Sequence, residues 1–187
     1  CHIHHINQNY GNANNLGTGA SGDGIQLDGI WQNYKILNTI IDRSDAYTGN
    51  KFGLILNSAA GLNDSNWGIV EGCTFITKTG SDISTSIYIA QGNGNIIRRN
   101  TFIGGILAIR VSNYGNNNSC MNTLIHHNKF LGCGGGIGVA YAGTTDIRNT
   151  KSYNNLFFGV TGYHQWVDRS FIDTRNNIHR RDVDNGI

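Results

Sequence analysis

The chain has 187 residues, enough for one domain with a continuous buried core. Glycine and asparagine number 26 each, too many turn formers for a helical protein, while 39% apolar and 10% aromatic residues argue against disorder. A formal net charge of +2, from 14 Lys+Arg against 12 Asp+Glu, shows no basic excess for nucleic acid, and no apolar run approaches the roughly 18–20 residues of a membrane span.

The chain opens with His2, Ile3, His4 and His5, and Ile3-His4-His5 is echoed by Ile125-His126-His127. The final Asp184-Asn185-Gly186-Ile187 echoes Gly22-Asp23-Gly24-Ile25. Both ends therefore fall inside repeats, and stacked repeats need polar end caps. Residues 1–187 are expected to form a single domain that is a section of a longer chain, with its caps elsewhere.

Two ladders follow in alternation. In the first, residues 24–28, 53–57, 86–90, 106–110 and 136–140 alternate with period two. The inward pairs are expected to be Ile25/Leu27, Leu54/Leu56, Ile87/Ile89, Leu107/Ile109 and Ile137/Val139. Outward rows then read Asp28, Asn57, Ala90, Arg110, Ala140 and Gln26, Ile55, Tyr88, Ala108, Gly138. In the second ladder a short polar residue precedes a large apolar one by two positions. These tetrapeptides begin at Asn38, Cys73, Asn100, Asn128, Asn154 and Asn176, spaced by 35, 27, 28, 26 and 22 residues. Extra residues between the ladders, at 59–66, 113–121 and 142–149, are expected to protrude as loops.

A repeat of this length signifies stacked structural units. The recurring asparagine has two physical uses: it tolerates the left-handed backbone of a sharp bend, and stacked copies can hydrogen-bond to one another. Proline is absent, as suits strands whose backbone N–H groups are nearly all used. Cys1, Cys73, Cys120 and Cys133 show no CxxC spacing, and unpaired buried thiols are the expected state of the internal ones. The expected fold is all-β, a right-handed parallel β-helix of about six to seven rungs. Leucine-rich repeats would need regular leucines and helices, and a propeller would need hairpins; neither pattern occurs.

The segments Ile97-Arg98-Arg99-Asn100-Thr101-Phe102-Ile103-Gly104 and Ile125-His126-His127-Asn128-Lys129-Phe130-Leu131-Gly132 resemble the repeat of the pectate-lyase-like superfamily of right-handed parallel β-helix proteins. More narrowly, Gly22-Asp23-Gly24-Ile25-Gln26-Leu27, then Asn33-Tyr34-Lys35-Ile36 and Asn66-Trp67-Gly68-Ile69, is similar to bacteriophage tailspike polysaccharide depolymerases. The resemblance implies an extracellular or virion-associated homotrimer acting on a polysaccharide; the charge balance and hydropathy above are the grounds for expecting no nucleic-acid or membrane partner.

A β-helix fills its interior with side chains, so chemistry belongs on an outer face walled by loops. Surface aromatics available to sugars are Trp31, Tyr34, Trp67, Tyr88, Tyr114, Tyr141, Tyr153 and Trp166, and alternation points Tyr88 outward. Hydrolysis needs two carboxyl groups. Glu71 is the only glutamate, so Asp23 and Asp28, which bracket the first strand, are the candidate acids. β-Elimination needs a base and a group that stabilises the enolate. Arg110, with Tyr88 diagonal to it on the previous rung, is the candidate pair. Arg98 and Arg99 sit at a bend where solvation is the ordinary outcome; Arg98 joins Asn57, Gln26, Trp31 and Tyr141 as a sugar-binding candidate. Adjacent histidines of a strand face opposite sides, so neither His4-His5 nor His126-His127 is expected to chelate one ion, and no metal site is expected. A calcium requirement would accompany a lyase only if acids clustered. The expected function is binding and degradation of a bacterial extracellular polysaccharide by hydrolysis or β-elimination. The alternatives are a non-catalytic glycan-binding or structural module and a uronate epimerase.

Overall fold

An isolated run of alternating aliphatics has one face that must be covered, and stacking copies of the run covers it. A computed structural model describes residues 1–3, 24–28, 31–44, 51–57, 65–78, 84–90, 92–112, 120–140, 149–162, 165–167 and 172–180. All regular structure among these residues is β-strand, and all pairings are parallel.

Three sheets carry the architecture. Sheet I has seven strands: His2–Ile3, Ile40–Arg43, Thr74–Thr77, Thr101–Gly104, Lys129–Leu131, Leu156–Phe158 and Ile178–Arg180. Sheet II has six: Ile25–Asp28, Lys51–Asn57, Ser84–Ile89, Leu107–Ser112, Gly135–Ala140 and Gln165–Val167. Sheet III also has six: Lys35–Leu37, Ile69–Glu71, Ile96–Arg98, Leu124–His126, Thr150–Tyr153 and Ile172–Arg175. The chain visits them in the order II, III, I, and each return adds a strand beside its predecessor. This arrangement is compatible with a parallel β-helix. The loops expected at 59–66, 113–121 and 142–149 lie mostly outside the described residues.

The core is built from columns of like residues. Leu54 and Leu56, Ile87 and Ile89, Ile109 and Val111, and Ile137 and Val139 are buried from sheet II; Val70, Ile97 and Ile125 are buried from sheet III. Sheet I contributes Ile41, Phe75, Phe102, Phe130 and Phe157. Successive phenylalanine rings stack with centroids 5.2, 5.0 and 4.5 Å apart, and His179 continues the stack at 4.8 Å. Two expectations need correcting. In the fourth repeat Ile109 and Val111 are the inward pair, not Leu107 and Ile109, because Ile87 pairs with Ile109 and Ile89 with Val111. At the tetrapeptides beginning Asn38 and Asn154, the buried anchors are Ile41 and Phe157, one residue later than the spacing suggests.

The reason for the second slip is that asparagine fills two adjacent columns with different tasks. Asn38, Arg99, His127, Asn154 and Asn176, with Gly72, form the bend, all at positive φ. Thr39, Cys73, Asn100, Asn128, Asn155 and Asn177 follow, and their side chains run inward. Asn128 Oδ1 accepts from the Asn100 backbone N–H (3.0 Å) and from Asn100 Nδ2 (3.1 Å). Its own Nδ2 donates to the Ile97 carbonyl (2.9 Å) and to Asn155 Oδ1 (3.1 Å). Asn155 repeats the pattern onto Asn177. Cys73, Cys120 and Cys133 are buried and unpaired. Burial pushes the Cys120 and Cys133 thiols up to about 12, which keeps them protonated and unreactive.

Cys73 ends the amide ladder: its Sγ meets the Ile36 carbonyl at a loose 3.5 Å while its N–H donates to Asn100 Oδ1. Cys73→Asn should therefore extend the ladder by one repeat. A gain of about 1 kcal/mol in unfolding free energy is expected, read as a higher urea midpoint at unchanged m-value. A lowered midpoint would mean that the site has no room for an amide.

Candidate functional site

Each sheet III strand ends in an outward residue, then a left-handed bend residue, then the inward ladder residue. The outward column, in register, is Leu37, Glu71, Arg98, His126, Tyr153 and Arg175. The bend column beside it is Asn38, Gly72, Arg99, His127, Asn154 and Asn176. A left-handed residue breaks strand alternation, so two consecutive side chains stay on the outer side. Arg98 and Arg99, and His126 and His127, are thereby brought together. Positive φ at Arg99 (55°) and His127 (56°) is uncommon for large side chains, and such backbone outliers gather at functional sites.

Contacts within this edge are specific. Glu71 takes Arg98 Nη2 on one carboxylate oxygen at 2.7 Å and Arg99 Nη1 on the other at 2.9 Å. The Arg98 hydrogen bond, aided by Arg99, holds the Glu71 carboxyl below the usual carboxylate range, so it is ionised and engaged at neutral pH. One strand further, the Nδ1 atoms of His126 and His127 approach to 2.8 Å, so one imidazole donates and the other accepts. His127 Nε2 lies 3.4 Å from Asn154 Nδ2. Tyr153 stacks flat on His126, with centroids 4.8 Å apart and planes 3° from parallel. Partial burial, then the charges of His127, Arg98 and Arg99, lowers the pKa of His126. The edge thus combines two arginines, a hydrogen-bonded imidazole pair and an aromatic face, with Arg99, His127 and Asn154 open to solvent.

Of the residues expected from the sequence, Arg98 lies on this edge, and the others that the structure describes fall elsewhere. Asp28 ends the first strand of sheet II opposite Asn57, Gln26 pairs with Ile55, and Trp31 pairs with Ser65. Asp23 and Tyr141 lie outside the described residues. Tyr88 and Arg110 are direct partners rather than diagonal ones, with the guanidinium carbon 5.1 Å from the ring centroid. Tyr88 does point away from the main core, yet it is only 5% exposed. It packs beside Phe52 at 4.7 Å and accepts a hydrogen bond from Ser112 Oγ at 3.2 Å. Tyr88 is therefore not an open platform for a sugar.

Glu71, Arg99, His126 and His127 are absent from the expected site set, and Tyr153 stands there only among the surface aromatics. A signal for the basic residues exists: each basic pair stands immediately before an inward asparagine, Asn100 or Asn128. Taking that asparagine as inward makes both preceding residues corner residues. Among the described residues no three His, Cys, Asp or Glu side chains gather. Comparison with family models, curated proteins and solved structures finds no match to this chain.

Proposed function

We propose that this chain forms a right-handed parallel β-helix of about six to seven rungs that binds an anionic bacterial extracellular polysaccharide and cleaves it by β-elimination. The observation that carries the reading is the placement of Arg98, Arg99, His126, His127 and Tyr153 on one outer edge within three consecutive repeats. Arg98 and Arg99 hold the sugar carboxylate, their charge only partly offset by Glu71. His126, hydrogen-bonded to His127, removes the proton next to that carboxylate; burial and the neighbouring charges lower its pKa, which leaves it unprotonated at neutral pH. Electrons then move into the new C=C bond as the glycosidic oxygen departs, and the arginines stabilise the enolate that develops between these events.

Hydrolysis is the weaker reading at this edge. Glu71, held ionised by Arg98 and Arg99, is in the wrong state for a general acid. A non-catalytic glycan-binding module is the second reading. It is favoured by the salt-bridged pairing of both arginines with Glu71, an arrangement suited to static recognition. The resemblance to tailspikes adds a homotrimer at a virion or cell surface. An outward apolar column on sheet I, Ile76, Ile103, Leu131 and Phe158, gives a second copy a face to cover.

Incubation with bacterial capsular and pectic polysaccharides is expected to produce unsaturated sugar ends, read by ultraviolet absorbance. Reducing ends without that absorbance point to hydrolysis, and tight binding without either product establishes the second reading. Arg98→Ala should lower cleavage by about a hundredfold or more, the usual loss for an electrostatic stabiliser. Arg110→Ala is the counter-test: loss of activity there, with Arg98→Ala intact, moves the reaction to sheet II.

A further inference from the structure

The other end of the sheet III strands turns at a second corner, formed by Asn33, Trp67, Gly94, Asn122 and Asn149 in successive repeats. Their φ angles are 54°, 59°, 69°, 57° and 58°. Asparagine and glycine are the residues that tolerate this region, and they hold four of the five positions. Trp67 is the departure. It is the bulkiest side chain available, it sits where a β-carbon is strained, and it is 60% exposed. Neither backbone preference nor burial accounts for it.

The surroundings are shaped to hold it. A β-carbon on Gly94 would lie 2.3 Å from the indole Cε3, so only glycine in the next repeat lets the ring lie over that backbone. The Trp67 N–H donates to the Asn93 carbonyl at 2.8 Å. Asn95 Oδ1 accepts from the Gly68 N–H at 3.1 Å and from the Tyr34 hydroxyl at 2.9 Å, which pins the turn from beneath. Beyond Gly94, the exposed Asn149 Nδ2 donates to Asn122 Oδ1 at 3.2 Å. The outer edge therefore presents an indole face and then a pair of amides, Asn122 about 10 Å from Trp67 at two strand spacings.

We propose that this second corner is a glycan-binding subsite, in which Trp67 stacks on a sugar ring while Asn122 and Asn149 bond to hydroxyl groups of neighbouring sugars on the same chain. An exposed aromatic face beside planar amides is the chemistry that recognises a pyranose: C–H groups on the ring, hydroxyls at the rim. The corner lies five residues from the bend that carries Arg99, at most about 17 Å at 3.3 Å per residue. A polysaccharide crossing the outer face of sheet III would touch both edges. The inference rests on the proposed function for the class of ligand only, and not for the reaction.

Trp67→Asn tests it, because asparagine is this corner's own residue at Asn33, Asn122 and Asn149. The expected result is an unfolding midpoint equal to or above that of the native protein, since backbone strain is relieved. Affinity for whichever polysaccharide the native protein binds on an array of bacterial capsular polysaccharides and exopolysaccharides should fall by about tenfold or more. The sugar-induced change in tryptophan emission should vanish, although Trp31 and Trp166 remain. A lowered midpoint makes the indole a structural cover of Gly94 and overturns the proposal, whatever the affinity. Unchanged affinity, or a native protein that binds none of the array, overturns it too. Binding without cleavage sinks the β-elimination and leaves this subsite standing; cleavage by Trp67→Asn with unchanged KM does the reverse.

Discussion

Asn128→Ala should lower the stability of the fold by about 2–6 kcal/mol, two buried partners each costing about 1–3 kcal/mol when stranded. The substitution removes the acceptor of the Asn100 backbone N–H and the donor to the Ile97 carbonyl, in a site screened from water. It also cuts the amide chain that runs from Asn100 through Asn155 to Asn177, whose members polarise one another. Against a total of about 5–15 kcal/mol for a domain, such a loss is a large fraction and shows as a markedly lower urea midpoint. The neighbouring exposed Lys129→Ala should change stability by about 0.5 kcal/mol or less, so a urea titration of the pair separates ladder from surface. Equal midpoints for the two variants would show that the inward amide ladder adds nothing to stability.

That column also shows where the sequence is readable and where it is not. The interval from Asn100 to Asn128 is legible because both tasks of the repeat happen to fall on familiar residues: inward amide, then phenylalanine. At Asn154-Asn155 and Asn176-Asn177 two asparagines stand side by side, one left-handed and one inward, and composition does not say which is which. The register of sheet II has the same ambiguity in the fourth repeat, where Leu107, Ile109 and Val111 offer three aliphatics for two inward places. Resolving that slip moves Arg110 beside Tyr88 and away from the row of Asp28.

The candidate edge was hidden by a sound rule applied one residue too far. Alternation sends His126 and His127 to opposite faces in a strand, and the strand ends at His126. His127 is already in the bend, where a φ of 56° returns its ring to the side of its neighbour. Histidine visits the left-handed region more readily than most side chains, yet its presence alone does not announce a bend. Arg99 and Trp67 are poorer predictors still, which is why a functional reason for them is worth seeking.

Replacing His126 by glutamine should reduce the proposed cleavage by about 10²–10⁴-fold, the range for loss of a general base. Its pH dependence gives the sharper test. Unprotonated His126 is the active form, so kcat/KM is full at neutral pH and falls as pH drops through its pKa. Burial and the charges around His126 lower that value, so the acid limb lies below the ordinary histidine value of 6.5. Glu71 opposes the shift by favouring the imidazolium. Glu71→Gln should therefore move the acid limb to still lower pH, while Arg99→Gln should move it up, since Arg99 disfavours the imidazolium. A pH–rate profile for the three proteins reads these directions, and an upward shift in Glu71→Gln contradicts the assignment. Stability supplies a readout independent of the reaction. The unfolded chain takes up a proton near its ordinary histidine pKa, whereas the folded protein resists protonation to lower pH. The contribution of His126 to stability is therefore intact above the unfolded pKa and lost as pH falls from there through the depressed folded value. His126→Gln should flatten that part of the stability profile, whether or not the edge turns over a substrate.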